Sequence, residues 1–258
     1  MRAFWVFMLM LSTVVVPAAE ITRHPVETAT NWGKIDGTTV TVETPDGVRL
    51  VGLYRPARGT TLTVILIPML ANTIEPYCDL AAELQRRGIG TFAYDQRGVG
   101  LSTRTTTGTI SYKQFRNAPS GEWVRIVDDL DAVVKHLQTL GIPPDNLAIV
   151  GASIGANAAL LHYASHPRIR KLVLLSPGEE YRGLAVMEAA GRLAGGDLLI
   201  VTGDQDRYSH DSSRRIAELA RKSGTRVKLE VLPTNKLHGT SLLKEPLPAQ
   251  ITNWLLEK

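Results

Sequence analysis

Residues 147–160 read LAIVGASIGANAAL. The first four are apolar, as in a short buried strand, and the last five are mostly small and apolar, as in a tightly packed helix. Between them stand Gly151, Ser153 and Gly155. A strand that runs straight into a helix needs positions without a Cβ where the two elements cross closely. Ser153 then has two readings. It can cap the helix N-terminus with its side-chain oxygen, or project that oxygen as a nucleophile above the carboxyl end of the strand. Gly-x-Ser-x-Gly on its own is a weak signal. Its placement on a strand-to-helix turn gives it weight.

Outward from this segment the same apolar texture recurs. LTVILI (62–67), GTFAYD (90–95), KLVLLS (171–176), DLLIVTG (197–203) and VKLEVLP (227–233) are short, near-continuous apolar runs. Strands covered on both faces of a parallel sheet read this way. Helical patterns fall at 75–87, 122–140, 154–165, 182–194, 211–223 and 240–256. Such alternation demands βαβ crossovers, so the expected class is α/β: a mostly parallel central sheet with helices on both faces. TTVTVET (38–44) and VRLVGLYRP (48–56) alternate instead, with Pro45-Asp46-Gly47 as a turn between them. They predict an antiparallel hairpin ahead of the parallel strands. No repeat or linker interrupts residues 20–258, which are expected to form a single domain.

Residues 1–19 differ. One arginine, an uncharged apolar run and small residues at Val16-Pro17-Ala18-Ala19 have the layout of a cleavable signal peptide. The run is short of the roughly 20 apolar residues that span a bilayer. The expectation is a secreted or periplasmic protein, with no stable membrane partner once the signal is cleaved. Cys78 is the only cysteine, so no internal disulfide can form. The formal net charge of +4 is scattered over helical faces without interleaved aromatics, which argues for solvated surfaces and against nucleic-acid binding.

In a parallel sheet, ligands bind beyond the carboxyl ends of the strands, so partners for Ser153 are sought in the loops there. A serine hydroxyl needs a base, and the base an orienting acid. Of the six histidines, four follow Ser153. His162 and His166 lie on the helix leaving the turn and point away from it; His210 opens a later helix. His238, in LPTNKLHGTSLL (232–243), follows the last strand on the correct edge. Past the preceding strand, DLLIVTGDQDRYS offers both Asp204 and Asp206.

With GASIG at 151–155, GDQD at 203–206, HG at 238–239 and DQRGVGLS at 95–102, residues 48–256 resemble the α/β-hydrolase superfamily of serine esterases and lipases. The likeness is greatest to compact, lidless members of the dienelactone hydrolase type. The resemblance implies a triad of Ser153, Asp206 and His238, with Asp206 preferred over Asp204. It implies oxyanion donors from the amide of Ile154 and from the loop after the third strand, where Leu70 is the first choice and Met69 the second. It further implies hydrolysis of a small-molecule carboxylic ester, or a thioester, through an acyl-enzyme, with neither cofactor nor metal. The same triad serves acyltransferases and perhydrolases, and the same scaffold serves non-catalytic binding proteins. Asp95 and Arg97 would tie down loops near the site rather than react.

One departure stands out. Relatives carry His-Gly after the third strand; here LIPMLANT (66–73) puts Pro68-Met69 in that slot. Proline has no N–H to donate, whereas a backbone donor at the following positions does not depend on its side chain. Between KLVLLSPG and GGDLLIVTG only one helix fits, so no lid domain is expected. Tyr112, Phe115, Trp123 and Tyr181 would then line an open entrance or pack in the core.

Overall fold

Apart from VKLEVLP, which forms a partly exposed edge strand, the apolar runs become strands covered on both faces. In the computed structural model, which describes residues 36–115, 121–233 and 236–257, the strands are β1 (Thr38–Glu43), β2 (Val48–Arg55), β3 (Thr63–Ile67), β4 (Gly90–Tyr94), β5 (Arg104–Thr105), β6 (Leu147–Ala152), β7 (Lys171–Leu175), β8 (Glu180–Tyr181), β9 (Leu184–Ala185), β10 (Asp197–Gly203) and β11 (Arg226–Leu232). The helices are α1 (Cys78–Arg86), α2 (Tyr112–Phe115), α3 (Gly121–Thr139), α4 (Ile154–Ser165), α5 (Met187–Ala190), α6 (Arg207–Lys222) and α7 (Leu247–Leu256).

The main sheet has the order β1-β2-β4-β3-β6-β7-β10-β11, with β5 paired to β2. From β4 to β11 neighbours are parallel. β2 runs antiparallel to β1 and β4, so the expected hairpin leads into a parallel sheet. Alternate side chains feed two separate cores. Ile65, Ile67, Phe92, Ile149, Leu172, Leu174 and Ile200 pack under α3, α4 and α6. Val64, Leu66, Val150, Val173, Leu175 and Val201 pack under α1 and α7. Helices cover both faces for this reason: a strand with period-two side chains that are apolar at every position must bury both sides.

Three helical expectations need correction. Residues 182–194 form no continuous helix: β8 and β9 make a two-stranded hairpin there, and only the short α5 follows. Arg182 and Gly183, with φ of 52° and 87°, form the turn; two successive positive φ angles are the geometry that suits a tight hairpin. The buried Leu184, Val186, Ala190 and Leu193 had imitated a helical stripe. The expected 211–223 helix starts earlier, at Arg207. The expected 240–256 helix is split into a 3-10 turn, Gly239–Leu242, and α7, with Pro246 between them.

The turn between β1 and β2 does more than reverse the chain. Asp46 holds Arg97 through two hydrogen bonds of 2.8 and 3.2 Å, and Arg97 also grips Asp129 of α3 at 2.8 and 2.6 Å. Arg97 and Asp129 are both fully buried. The Arg97 guanidinium holds the Asp46 carboxyl well below the usual carboxylate range. Asp95, also fully buried, accepts amide hydrogens from Ile74 and Leu101. The DQRGVGLS segment thereby fastens the loop after β3 to the loop after β4. The expected signal peptide at 1–19 lies outside the described residues. Among those described, no helix is long and apolar enough to cross a membrane.

Candidate active site

β6 delivers the chain to Ser153 in a conformation few serines adopt, with φ 53° and ψ −121°. A non-glycine residue at positive φ costs on the order of 1–3 kcal/mol and persists only where its surroundings force it. The forcing is visible on both sides. Ser153 N–H donates to Leu175 O at 2.8 Å, and Ser153 O accepts from Ala156 and Asn157 at 2.9 and 3.2 Å. A Cβ on Gly155 would overlap the carbonyl oxygens of Pro68 and Ile67, and one on Gly151 would overlap the backbone of Gly155. The two glycines let α4 start directly against β3 and β6. The Ser153 side chain makes no capping bond to its helix.

Its hydroxyl goes instead to His238. Nε2 of His238 lies 2.8 Å from Ser153 Oγ, and Nδ1 lies 2.6 Å from Asp206 Oδ2. An ionised carboxylate can only accept, so Nδ1 carries the ring proton and Nε2 presents its lone pair to the serine hydroxyl. Asp206 opens α6, its carbonyl accepting the amide of His210 at 2.7 Å. Asp204 is exposed, and its amide is tied to Leu232 O at 2.9 Å. The structure therefore brings Ser153, His238 and Asp206 together and leaves Asp204 outside. His162 lies further along α4, His166 caps its end, and His210 bonds Asp211.

Two side chains that sequence reasoning overlooked hold the His238 loop. Ser176, at the carboxyl end of β7, accepts the amide of Gly239 at 2.9 Å. Met69 Sδ accepts the amide of Thr240 at 3.3 Å. A polar residue closing an apolar run on the ligand-binding edge was the available sign for Ser176. Nothing local to Met69 marks its sulfur as an acceptor. Asn157 is a third: fully buried, it bonds Gly178 N, Gly178 O and Leu184 O, fixing the loop after β7 to α4.

The loop after β3 carries the other expected donors. Ala71, with φ 56°, gives its amide to Gln96 Oε1 at 2.6 Å, and Asn72 gives its amide to Met69 O at 3.1 Å. The amides of Leu70 and of Ile154, the first residue of α4, take no acceptor among the described residues. Of the four aromatics, Trp123 is fully buried in a small core with Ile126, Ile154, Ala158 and Leu184, against which Tyr112 packs. The side chain of Phe115 lies outside the described residues. Tyr181, on the β8–β9 hairpin, stands edge-on to the His238 ring, 6.2 Å between centroids and 87° between planes. Burial, and then the Asp206 carboxylate, hold its phenol well above the ordinary tyrosine range, so the hydroxyl keeps its proton. A cavity of about 620 Å³ shares Met69 and Thr240 with this region and is further lined by Asn72, Glu75, Asp79 and Lys244.

In such a hydrogen-bonded series the imidazole can take the hydroxyl proton while the carboxylate orients the ring and stabilises its cation. Comparison with known proteins agrees with the fold. Residues 60–221 match the family model described as Serine aminopeptidase, S33. The Pyrococcus furiosus esterase Pf2001 superposes with a TM-score of 0.66 at 18% identity, over 88% of this chain and 95% of that one. The dienelactone hydrolase from Anabaena variabilis does so with a TM-score of 0.64 at 18% identity, over 86% and 98%. A search of curated protein sequences returns no match. The family match spans well over half of the chain, and the strand order and strand-to-helix serine turn accompany it: the chain belongs to the serine aminopeptidase S33 family of α/β hydrolases.

Proposed function

We propose that this hydrolase cleaves carboxylic esters by a serine mechanism with an acyl-enzyme intermediate. The observation that carries the reading is His238 bridging Ser153 Oγ and Asp206 Oδ2 at 2.8 and 2.6 Å, with Ser153 held at a positive φ. Ser153 Oγ attacks the substrate carbonyl while its proton passes to His238 Nε2. The imidazolium that forms is stabilised by the Asp206 carboxylate at Nδ1. The carbonyl oxygen becomes an oxyanion, for which the amides of Ile154 and Leu70 are the proposed donors; the positive end of α4 adds to the field there. His238 then returns the proton to the departing alkoxide, leaving an acyl group on Ser153. A water molecule deprotonated by the same nitrogen releases the acid. The residues so assigned require no cofactor or metal for this cycle. The proposed setting is extracytoplasmic, supported by the signal-like pattern of residues 1–19.

The acid assignment has its own test. Asp206→Asn should lower kcat on p-nitrophenyl acetate by about 10³- to 10⁴-fold, because an amide no longer selects the productive imidazole tautomer or stabilises its cation. Asp204→Asn should stay within a few-fold of wild type. Equal losses in the two variants would refute the assignment.

A further inference from the structure

Away from the serine, α3 and α4 place three ligand-type side chains face to face. Asp131 comes from α3, His162 from α4, and His166 is the residue that caps the carboxyl end of α4. Nε2 of His162 and Nε2 of His166 lie 3.7 and 3.6 Å from the same oxygen, Asp131 Oδ1. All three donor atoms fall within 4.8 Å of one another. His162 stands nine residues past Ser153, roughly 13 Å further along a helix rising 1.5 Å per residue, so this cluster is not the catalytic one.

Its hydrogen bonding is what singles it out. The His162 side chain is 1% exposed, and neither of its ring nitrogens has a hydrogen-bond partner among the described residues. A buried, unsatisfied ring nitrogen is costly and calls for an explanation. His166 is differently placed: its Nδ1 bonds the carbonyl of His162 at 2.7 Å. A carbonyl only accepts, so Nδ1 carries a proton, and in the neutral ring Nε2 is the lone-pair nitrogen. Metal-binding histidines are fixed in this way, through the nitrogen that does not ligate. Asp131 is divided likewise. Its Oδ2 binds Lys135 Nζ at 2.7 Å, and its Oδ1 faces the two imidazoles.

We propose that Asp131, His162 and His166 form a divalent transition-metal site, of the chemistry that zinc takes, clamping α3 to α4. Two imidazole nitrogens and one carboxylate oxygen suit zinc, with water as the fourth ligand. Tetrahedral bonds of about 2.0–2.1 Å place donors about 3.3–3.4 Å apart, close to the 3.6 and 3.7 Å seen here. The two rings are stacked, 3.8 Å between centroids and 4° between planes. Stacked faces leave the two Nε2 lone pairs side by side, so metal binding requires a ring, most readily that of the more exposed His166, to swing out of the stack until both lone pairs meet in front of Asp131 Oδ1. Asp131 and His166 are partly exposed, which gives the ion a route in from solvent. The metal would satisfy Nε2 of His162, while Nδ1 of that ring keeps its unpaired state.

The test is zinc binding by full-length protein first stripped with a chelator, followed by metal analysis and thermal melts with and without zinc chloride. Wild type should retain one zinc per chain at micromolar zinc, with a raised Tm. His238→Ala should do the same, which separates this site from the catalytic imidazole. Asp131→Asn and His166→Gln should weaken zinc binding by at least the roughly 10- to 100-fold that loss of even an outer-shell partner costs, and should lose the zinc-dependent rise in Tm. Because the comparison is the shift on adding zinc, a lower starting Tm in a variant does not blur it. No retained zinc in wild type, or undiminished zinc in both variants, would overturn the proposal.

Discussion

Replacing Ser153 with alanine is expected to reduce ester turnover by at least about 10⁴-fold, the scale on which loss of an activated nucleophile is felt. The same change should alter stability by less than about 1 kcal/mol. Both expectations follow from the way the residue is held. The Ser153 hydroxyl caps nothing in α4, so the helix loses no partner with it. Alanine at φ 53° is no more strained than serine, since both have a Cβ and nothing more at the offending position. The hydroxyl gives up its bond to His238 Nε2, on a ring that is about one-third exposed and can turn to water, and its contact with the Tyr181 hydroxyl, which also has Ser209 beside it. Turnover of p-nitrophenyl acetate and a thermal melt on one preparation check both halves. A large stability loss would show that the serine is held for structure.

The second large effect concerns the buried pair beneath the β1–β2 turn. Asp129→Leu should destabilise the protein by about 3–5 kcal/mol, the range measured when one partner of a buried ion pair is removed. That is a major fraction of the roughly 5–15 kcal/mol that holds a typical domain folded. The guanidinium of Arg97, wholly inaccessible, cannot shed its charge and would retain only Asp46. Arg97→Met should behave differently. Burial raises the Asp129 carboxyl and Arg97 pulls it back; without Arg97 only the upward push remains. A group whose folded pKa is raised contributes stability that is full below its unfolded pKa and lost as pH rises through the folded one. The deficit of Arg97→Met against wild type should therefore widen between about pH 5 and pH 8, as a lone buried carboxylate is forced to ionise. Urea unfolding at the two pH values reads this directly, and a deficit independent of pH would contradict it.

What could be read before folding follows from where information is local. Strands such as LTVILI and DLLIVTG announce themselves because every side chain after the first is buried, and Gly151 and Gly155 because only glycine fits where α4 crosses β3 and β6. His238 stood out by its place after the last strand, whereas strand-end position offered Asp204 and Asp206 alike and the family resemblance preferred Asp206. The β8–β9 hairpin was not: Leu184, Val186, Ala190 and Leu193 repeat with near-helical spacing, and tertiary packing of an irregular segment produces the same stripe. The extra turn of α6, residues 207–210, was hidden because its one buried residue, Ser209, is polar and bonds Pro177 O, leaving no apolar mark. Ser176 and Met69 act on Gly239 and Thr240 across 63 and 171 residues of chain. No spacing rule reaches that far. The apposition of Asp131 with His162 and His166 is of the same kind, since it depends on how α3 lies against α4.

The central claim is that Ser153 is made nucleophilic by His238, and covalent labelling tests it most directly. Wild-type protein treated with a fluorophosphonate probe and digested for mass spectrometry should carry one adduct, on the peptide containing Ser153. His238→Ala protein, folded by its melting curve, should carry almost none over the same time. An adduct elsewhere, no adduct on the folded wild-type protein, or equal labelling in the absence of His238 would contradict it.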